Sequence, residues 1–312
     1  MDKIKLLDGG FSQQLAKYVN EDIDGHPLWT SKFLITHKEK CVRAHRDFIR
    51  AGAEMIRTAT YQASIDGYIK HLRLTKQEAI EAIKDSVAVV RKAITIEKEK
   101  TGKNKEILIV GSAGPYAVKF HEGSEYTGSY ADKVSEDELI DWHTPKVDAL
   151  ISAGVDLLAF ETIPCKIEAI AVAKIIQKYP NTRAWISFSV KDTAEISSGE
   201  NFVEAATECW NMASSQLVAI GVNCLAPELV LPPLANLLRA DPSIPLLVCP
   251  NSGETFDTNN YRWIKGSTKK VADYVEEWLN LGVSYIGGCC RTTAEDTQQM
   301  LRQINQWKNK IV

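Results

Sequence analysis

Short apolar runs rich in β-branched residues alternate along the chain with longer segments whose apolar residues recur every three to four positions. The short runs predict strands over residues 5–8, 55–60, 107–112, 157–162, 184–190, 218–224, 245–250 and 284–289. The longer segments predict amphipathic helices over residues 36–51, 76–99, 137–153, 166–178, 204–213, 227–240, 269–280 and 294–307. No Gly-, Ser- or Pro-rich linker divides the series, so we predict a single domain over residues 1–312.

The order of these elements indicates the fold class. Eight strand-then-helix units predict an α/β protein with a closed (β/α)8 TIM barrel, in preference to an open doubly wound sheet. A weak internal repeat agrees, because Gly52, Gly154 and Gly282 each join a predicted helix to the next strand. Glycine at that position commonly ends a helix in the left-handed conformation.

Cysteines supply the most specific candidate chemistry. The carboxyl ends of barrel strands meet at one mouth, where Cys224 ends predicted strand six and Cys289 and Cys290 end predicted strand eight. Adjacent Cα atoms lie about 3.8 Å apart, below the roughly 4.4 Å at which ordinary disulfides begin, so Cys289 and Cys290 are poorly placed to bridge each other. In a regular strand their side chains would also point to opposite faces. We expect Gly287 and Gly288 to give the backbone the freedom to aim both sulfurs at one ion.

Three thiols from two strands leave one tetrahedral position open, which is typical of a catalytic zinc site. Soft thiolates also favour zinc over magnesium or calcium. Cys249, near the end of predicted strand seven, is the alternative ligand, and Cys165 follows predicted strand four. Cys41 and Cys209 fall on predicted helices, where we expect core or surface thiols.

Composition limits the classes of function. The chain has 312 residues, of which 45% are hydrophobic and 25% charged, and a formal net charge of -3, which suits a cytoplasmic globular protein. An odd number of cysteines without paired spacing favours reduced thiols over disulfides. No apolar run is long enough for a membrane span, and residues 1–5 lead into a strand without a signal-peptide core. The absence of a basic stripe argues against a nucleic-acid partner.

Five motifs in this order resemble those of the homocysteine S-methyltransferases, the zinc-dependent group that includes the betaine and S-methylmethionine enzymes. They are Asp8-Gly9-Gly10-Phe11, Gly111-Ser112-Ala113-Gly114-Pro115-Tyr116, Phe160-Glu161-Thr162, Val222-Asn223-Cys224 and Gly287-Gly288-Cys289-Cys290-Arg291. The resemblance covers nearly the whole chain. It implies one Zn²⁺ per chain, held by the three cysteines, and methylation of homocysteine to methionine. Coordination to the metal would keep the homocysteine thiol ionised, as a nucleophile requires.

The same resemblance implies a site for the amino acid. Glu161, with Asp8, is expected to bind the homocysteine ammonium group. The backbone amides of Gly9 and Gly10, together with Thr58, are expected to bind its carboxylate.

Three further residues have predicted roles at the mouth. Asn223 is expected to orient Cys224 or the substrate through its amide. Arg291 is a candidate to neutralise thiolate charge or to hold a carboxylate. Trp29 lies where the family places an aromatic near the methyl donor, whose cationic centre a ring face attracts.

The sequence indicates the methyl donor less directly than the methyl acceptor. Gln62 and Thr162 stand where the betaine branch has aromatic residues, and the C-terminal oligomerisation arm of that branch is not expected here. The resemblance therefore favours S-methylmethionine, with S-adenosylmethionine as a further donor. Betaine and selenocysteine methyltransferases remain the alternatives, as does a non-catalytic zinc or thiol redox-sensing protein. The expected partners are small molecules, with the protein a monomer or small homo-oligomer.

Overall fold

A computed structural model describes residues 4–21, 23, 25–102, 104–257, 262–264 and 269–310. The first three residues, on which the signal-peptide expectation partly rests, lie outside this range. Within it, eight parallel strands form one sheet in the order β1-β10-β7-β6-β5-β4-β3-β2. A parallel bridge between Leu7 and Met55 joins the first strand to the second and closes the sheet. The prediction of a (β/α)8 barrel is therefore confirmed.

The barrel strands are β1 (Lys5–Leu6), β2 (Met55–Arg57), β3 (Leu108–Ala113), β4 (Leu157–Ile163), β5 (Ala184–Phe188), β6 (Leu217–Asn223), β7 (Leu246–Cys249) and β10 (Val283–Ile286). Two further strands, β8 (Thr255–Asp257) and β9 (Arg262–Ile264), form an antiparallel pair outside the barrel sheet. No strand pair was predicted there.

Helices follow the strands along the chain. They are α1 (Phe11–Ala16), α2 (Phe33–Thr36), α3 (Lys38–Ala51), α4 (Ile65–Leu72), α5 (Lys76–Thr101), α6 (Glu136–Ser152), α7 (Lys166–Gln177), α8 (Phe202–Ala213), α9 (Leu231–Ala240), α10 (Val275–Leu281) and α11 (Ala294–Lys310). The predicted helices correspond to α3 and α5 to α11. The sequence prediction missed α1, α2 and α4, which lie in the long connections after β1 and β2. None of the described helices is long and apolar enough to cross a lipid bilayer.

Local sequence signals explain where several helices begin and end. Thr75 and Glu78 form a reciprocal capping box at the start of α5, with backbone-to-side-chain bonds of 2.7 and 3.2 Å. Gly52, Gly154 and Gly282 all have positive φ angles, of 104°, 81° and 101°. The predicted role of these glycines in ending helices is therefore confirmed.

Six of the eight barrel strands end earlier than predicted, and the two largest differences, in β2 and β10, shape the mouth. Strand β2 ends at Arg57 instead of residue 60, because the hydroxyls of Thr58 and Thr60 bond the backbone of Ser112 in place of a regular ladder, at 3.0 and 2.7 Å. Strand β10 ends at Ile286 instead of residue 289. The chain there turns toward the end of β7, where the Cys289 amide donates to the Pro250 carbonyl at 2.7 Å.

The barrel interior is a packed apolar core below the mouth. Leu7, Met55, Trp185, Leu247 and Cys249 belong to one cluster of fully or almost fully buried side chains. A larger cluster fills the space between the outer face of the sheet and the helices. The interior is therefore filled, and the polar side chains that line the cavity lie where the strands end.

Candidate metal and substrate site

The three predicted metal ligands converge at the mouth. The sulfurs of Cys224, Cys289 and Cys290 all lie within 4.8 Å of one another, and those of Cys224 and Cys290 are 3.5 Å apart. Zinc–sulfur bonds of about 2.3 Å place tetrahedral ligands about 3.8 Å apart. The donor set fits a tetrahedral zinc ion with one further ligand.

The backbone of each ligand is held by the ends of neighbouring strands. Cys224 follows β6 with a φ of 59°, and its amide donates to the Cys249 carbonyl at 2.9 Å. The Cys289 carbonyl accepts the Thr292 hydroxyl at 2.7 Å, and the Cys290 carbonyl accepts the Ser252 amide at 3.1 Å. A non-glycine residue in the left-handed region is uncommon and typical of functional sites, which is what Cys224 shows.

The two glycines before the cysteine pair do not act as predicted. Neither Gly287 nor Gly288 has a positive φ, so neither supplies a conformation reserved for glycine. A Cβ on Gly287 would lie 2.7 Å from the Leu7 Cβ, and a Cβ on Gly288 would lie 2.2 Å from the Thr292 hydroxyl oxygen. The glycines are required because they let β10 approach β1 and the following turn closely.

Cys249 lies outside the cluster of three thiols, and Arg291 pairs with other residues. Cys249 lies in the barrel core, and burial raises the pKa of its thiol well above the usual range. The Arg291 guanidinium donates to Glu254 at 2.6 Å and to Gln13 at 2.8 Å, away from the sulfurs. Among the described cysteines, histidines and carboxylates, only the three predicted cysteines form a cluster of metal-binding size.

The thiols share their protons unequally. Hydrogen bonds from Cys224 and Cys290, and then the positive charge of Arg57, lower the pKa of Cys289 despite its burial. The same sharing raises the pKa of Cys224 and of Cys290. One thiolate therefore forms readily, and a bound cation would stabilise the other two.

Arg57 is the main residue that the sequence analysis missed. Its side chain is buried, and it donates to Asp8 and to Glu161 at 2.7 Å each. It also donates to the Gly288 carbonyl at 2.7 Å, directly before the cysteine pair. Burial alone would lower the pKa of Arg57, but the two carboxylates outweigh it and raise that pKa, so the guanidinium stays charged.

Asp8 and Glu161, which are expected to bind the homocysteine ammonium group, are therefore already paired with Arg57. Burial raises the pKa of both, and Arg57 opposes the rise. When both carboxylates are ionised, two negative charges and one guanidinium leave one net negative charge. The Glu161 carboxylate also accepts the Ser112 hydroxyl at 2.8 Å.

The predicted carboxylate site is partly occupied by internal hydrogen bonds. The Thr60 hydroxyl donates to the Ser112 carbonyl, so the Thr58 hydroxyl must donate to Thr60, at 2.6 Å. The Gly10 amide donates to Thr292, at 3.0 Å to its hydroxyl and 3.1 Å to its carbonyl. A Cβ on Gly10 would lie 2.4 Å from the Cys289 carbonyl oxygen. In this conformation Gly10 gives the cysteine turn room, and of the two amides only that of Gly9 remains for a substrate.

Asn223 connects several strands beneath the thiols. Its amide oxygen accepts from the Thr162 amide at 2.8 Å and from the Ser187 hydroxyl at 2.7 Å. Its amide nitrogen donates to the Thr162 hydroxyl at 2.8 Å and faces the Cys289 sulfur at 3.8 Å. The amide is thus directed at Cys289, whereas the sequence analysis had linked it to Cys224.

One cavity of about 740 Å³, a volume that includes space open to solvent, is lined by ten of the residues predicted for the site, and Arg291 is not among them. They are Asp8, Gly9, Gly10, Trp29, Thr58, Glu161, Asn223, Cys224, Cys289 and Cys290. Sequence analysis missed Tyr61, Glu125 and Tyr126, which also line it. The Tyr126 hydroxyl lies 3.1 Å from the Cys224 sulfur. The only signal for Glu125 and Tyr126 was the long connection between the third strand and its helix, since long loops at this face often carry function.

The fold is a (β/α)8 barrel, and its three-thiol centre lies at the mouth formed by the carboxyl ends of the strands. Enzymes with this fold carry their active sites at that end of the barrel. The homocysteine S-methyltransferase family profile matches residues 5–304. A betaine-homocysteine S-methyltransferase of Drosophila melanogaster is 41% identical, with 95% of this chain and 93% of that protein aligned. The homocysteine S-methyltransferase YbgG of Bacillus subtilis is 37% identical over 95% of this chain and 92% of its own.

A solved structure agrees with these relatives. The metallated form of the homocysteine methyltransferase MmuM from Escherichia coli matches with a TM-score of 0.85 and 33% identity, over 97% of this chain and 96% of that one. This chain belongs to the homocysteine S-methyltransferase family. That membership supports a methyltransferase and counts against the non-catalytic thiol sensor.

Proposed function

We propose that this protein transfers a methyl group from S-methylmethionine to the thiol of L-homocysteine, with one zinc ion held by Cys224, Cys289 and Cys290. The observation that carries the proposal is the convergence of the three thiols beside the buried carboxylate pair of Asp8 and Glu161 in one cavity. The thiols would hold the metal that binds the sulfur nucleophile, and the carboxylates would bind the ammonium group of the amino acid.

The thiols would hold the zinc, and the rest of the site would hold the amino acid. When bound, such an ion lowers the pKa of a coordinating thiol, which supplies a thiolate at neutral pH. Asp8 and Glu161, with Arg57 between them, keep one net negative charge for the homocysteine ammonium. The Gly9 amide is the proposed donor to its carboxylate, and Thr58 lines the same cavity.

The reaction needs no protein base in its methyl-transfer step. A bond forms between the homocysteine sulfur and the methyl carbon while the donor's carbon–sulfur bond breaks, and that electron pair remains on the donor sulfur. Both products are then methionine. The residues serve to align the two sulfur atoms and the methyl group, which is a large part of what an enzyme can contribute to such a displacement.

Aromatic residues at the mouth favour a cationic donor. Trp29, Tyr61 and Tyr126 line the cavity, and ring faces attract sulfonium and quaternary ammonium groups. Betaine is the second candidate donor because the Drosophila relative carries that name. Gln62 and Thr162, which line the cavity where the betaine branch is expected to have aromatics, support S-methylmethionine instead. All seven cysteines are free thiols, which supports a reducing compartment such as the cytoplasm.

A donor panel tests the proposal. Zinc-loaded protein is given homocysteine with S-methylmethionine, S-adenosylmethionine or betaine, and methionine formation is measured. We expect the highest kcat/KM with S-methylmethionine and loss of activity after chelation, restored by zinc. Activity that survives complete metal removal would contradict the zinc role, and a preference for betaine would contradict the donor. Selenocysteine as acceptor, compared at equal concentration, distinguishes the remaining alternative.

A further inference from the structure

Glu125 is a third buried carboxylate in the cavity, in addition to Asp8 and Glu161. Its side chain is 9% exposed, and it lines the same cavity as the thiols. Within the described part of the chain, no lysine, arginine or histidine pairs with it. The hydrogen bond that the Ser189 hydroxyl donates at 2.6 Å goes to the Glu125 backbone carbonyl, not to the carboxylate.

The surroundings of this carboxylate differ from those of the other two acids. Asp8 and Glu161 share Arg57, whereas burial, with only the Glu125 backbone amide opposing it, raises the pKa of Glu125. A buried carboxylate without a cation is costly, and such groups are usually paired. Its missing partner is therefore expected to come from a ligand.

The position of Glu125 connects it to the reacting atoms. It lies on a short 3-10 helix, Ser124–Tyr126, whose last residue contacts the Cys224 sulfur at 3.1 Å. Tyr61 lines the same cavity, and the Glu125 carboxylate raises the pKa of its phenol. A group bound at Glu125 thus shares one cavity with the thiols and with the aromatic rings of Tyr61 and Tyr126.

We infer that the Glu125 carboxylate binds the α-ammonium group of the methyl donor and so selects a sulfonium amino acid. This inference rests on the proposed function and extends it to the donor's own recognition. S-Methylmethionine carries a sulfonium and an ammonium against one carboxylate, which leaves a net positive charge. Four bonds separate its sulfur from its ammonium nitrogen, so both can lie in one cavity.

An ammonium meets the needs of this carboxylate better than a sulfonium or a quaternary ammonium. A buried carboxylate requires hydrogen-bond donors as well as positive charge, and only the ammonium has N–H groups. Betaine offers no N–H donor, and its own carboxylate would be repelled by Glu125. The residue therefore acts on the choice of donor, whereas Asp8 and Glu161 act on the acceptor.

A pair of donors and a pair of variants test the inference. The donors are S-methylmethionine and 4-(dimethylsulfonio)butanoate, which is the same molecule without its amino group. The variants are Glu125→Gln and the matched control Glu228→Gln, a change at an exposed glutamate on another short 3-10 helix, Pro227–Leu229. Steady-state kinetics are measured with homocysteine as acceptor, together with zinc content and urea unfolding.

Glu125→Gln is expected to raise KM for S-methylmethionine about 10- to 100-fold, the range for loss of a hydrogen bond to a charged group. KM for homocysteine and zinc content should stay within about twofold, and the amino-free donor should be used as well as by the wild type. The free energy of unfolding should not fall, because the change removes an unpaired buried charge. Glu228→Gln should resemble the wild type throughout.

Equal losses with both donors, no loss with either, or a rise in KM for homocysteine instead would overturn the inference. If Glu125→Gln does not fold, the wild type decides: equal kcat/KM for the two donors would also overturn it. Failure of the proposed function is separate, because it appears as inactivity of the wild type with both sulfonium donors while betaine is used.

Discussion

Replacing Arg57 by methionine should destabilise the protein strongly. The guanidinium makes three bonds of 2.7 Å, to Asp8, to Glu161 and to the Gly288 carbonyl, in a site that water scarcely reaches. Removing one partner of a buried ion pair costs about 3–5 kcal/mol. Here two carboxylates lose the same cation and a carbonyl loses its donor, so we expect the upper end, about 4–5 kcal/mol. That is a large fraction of the stability of a typical domain, about 5–15 kcal/mol.

The loss should depend on pH in a defined direction. Burial already raises the pKa of Asp8 and Glu161 above their ordinary values of 3.8 and 4.5, with Arg57 opposing it. A carboxyl whose pKa is raised on folding stabilises the fold at low pH, and that contribution is lost as pH rises through the folded pKa. Without Arg57 both pKa values rise further. The destabilisation of Arg57→Met should therefore be larger at about pH 8 than at about pH 5.

Urea unfolding of chelator-treated protein at both pH values measures this effect without a contribution from bound metal. Arg57→Lys keeps the charge without the planar set of donors, so its loss should be intermediate. Arg46→Met is the control: Arg46 bonds Glu97 at 2.6 Å far from the mouth, and Glu97 keeps Arg50 as a partner at 2.8 Å. We expect that control to lose about 1 kcal/mol. A loss below about 1 kcal/mol for Arg57→Met, or one that grows toward low pH, would refute the reasoning.

Three further changes test the site. Cys290→Ala should abolish stoichiometric zinc binding and methyl transfer with the far-ultraviolet circular dichroism unchanged, whereas Cys249→Ala should keep its zinc; the reverse pattern would reassign the ligands. Glu161→Gln should raise KM for homocysteine about 10-fold, because one charge-assisted interaction is lost, and it should leave zinc content unchanged. Loss of zinc at an unchanged KM would contradict the assignment of Glu161 to the substrate. Gly10→Ala should lower zinc affinity at least about 10-fold, because its Cβ would lie 2.4 Å from the Cys289 carbonyl oxygen and displace the turn that carries the ligands. Zinc affinity is measured by competition with a chelating dye. An affinity equal to that of the wild type would show that the turn tolerates the methyl group.

The sequence predicted the fold and the thiols because both depend on short-range patterns. Alternating apolar and amphipathic segments identified the barrel, and the strand-end rule brought Cys224 to Cys289 and Cys290 across it. The helices α1, α2 and α4 were missed because each is short. Their ends depend on packing over the mouth more than on their own propensity.

Residues that act through long-range pairing were harder to predict. Arg57 was recognisable in principle, since a lone charge in an otherwise apolar barrel strand must find a partner. Its choice of Asp8 and Glu161, however, follows from the register of three strands. The roles of Gly287 and Gly288 were misjudged because sequence shows that glycine is present, not whether conformation or space requires it. Glu125 lies on a loop, whose path no local pattern fixes.

Contacts between the first and the last barrel strands determine how late in synthesis this site can be completed. Gly10 bonds Thr292, 282 positions later, and Lys5 pairs with Tyr285. A ribosome delivers Asp8 and Arg57 early, and Cys224 well before Cys289 and Cys290. A nascent chain therefore exposes one lone thiol and an unfinished acidic pocket until its final strand emerges. The three thiols can meet only after the last strand has been made, so a growing chain has no complete metal site before Cys289 and Cys290 are synthesised.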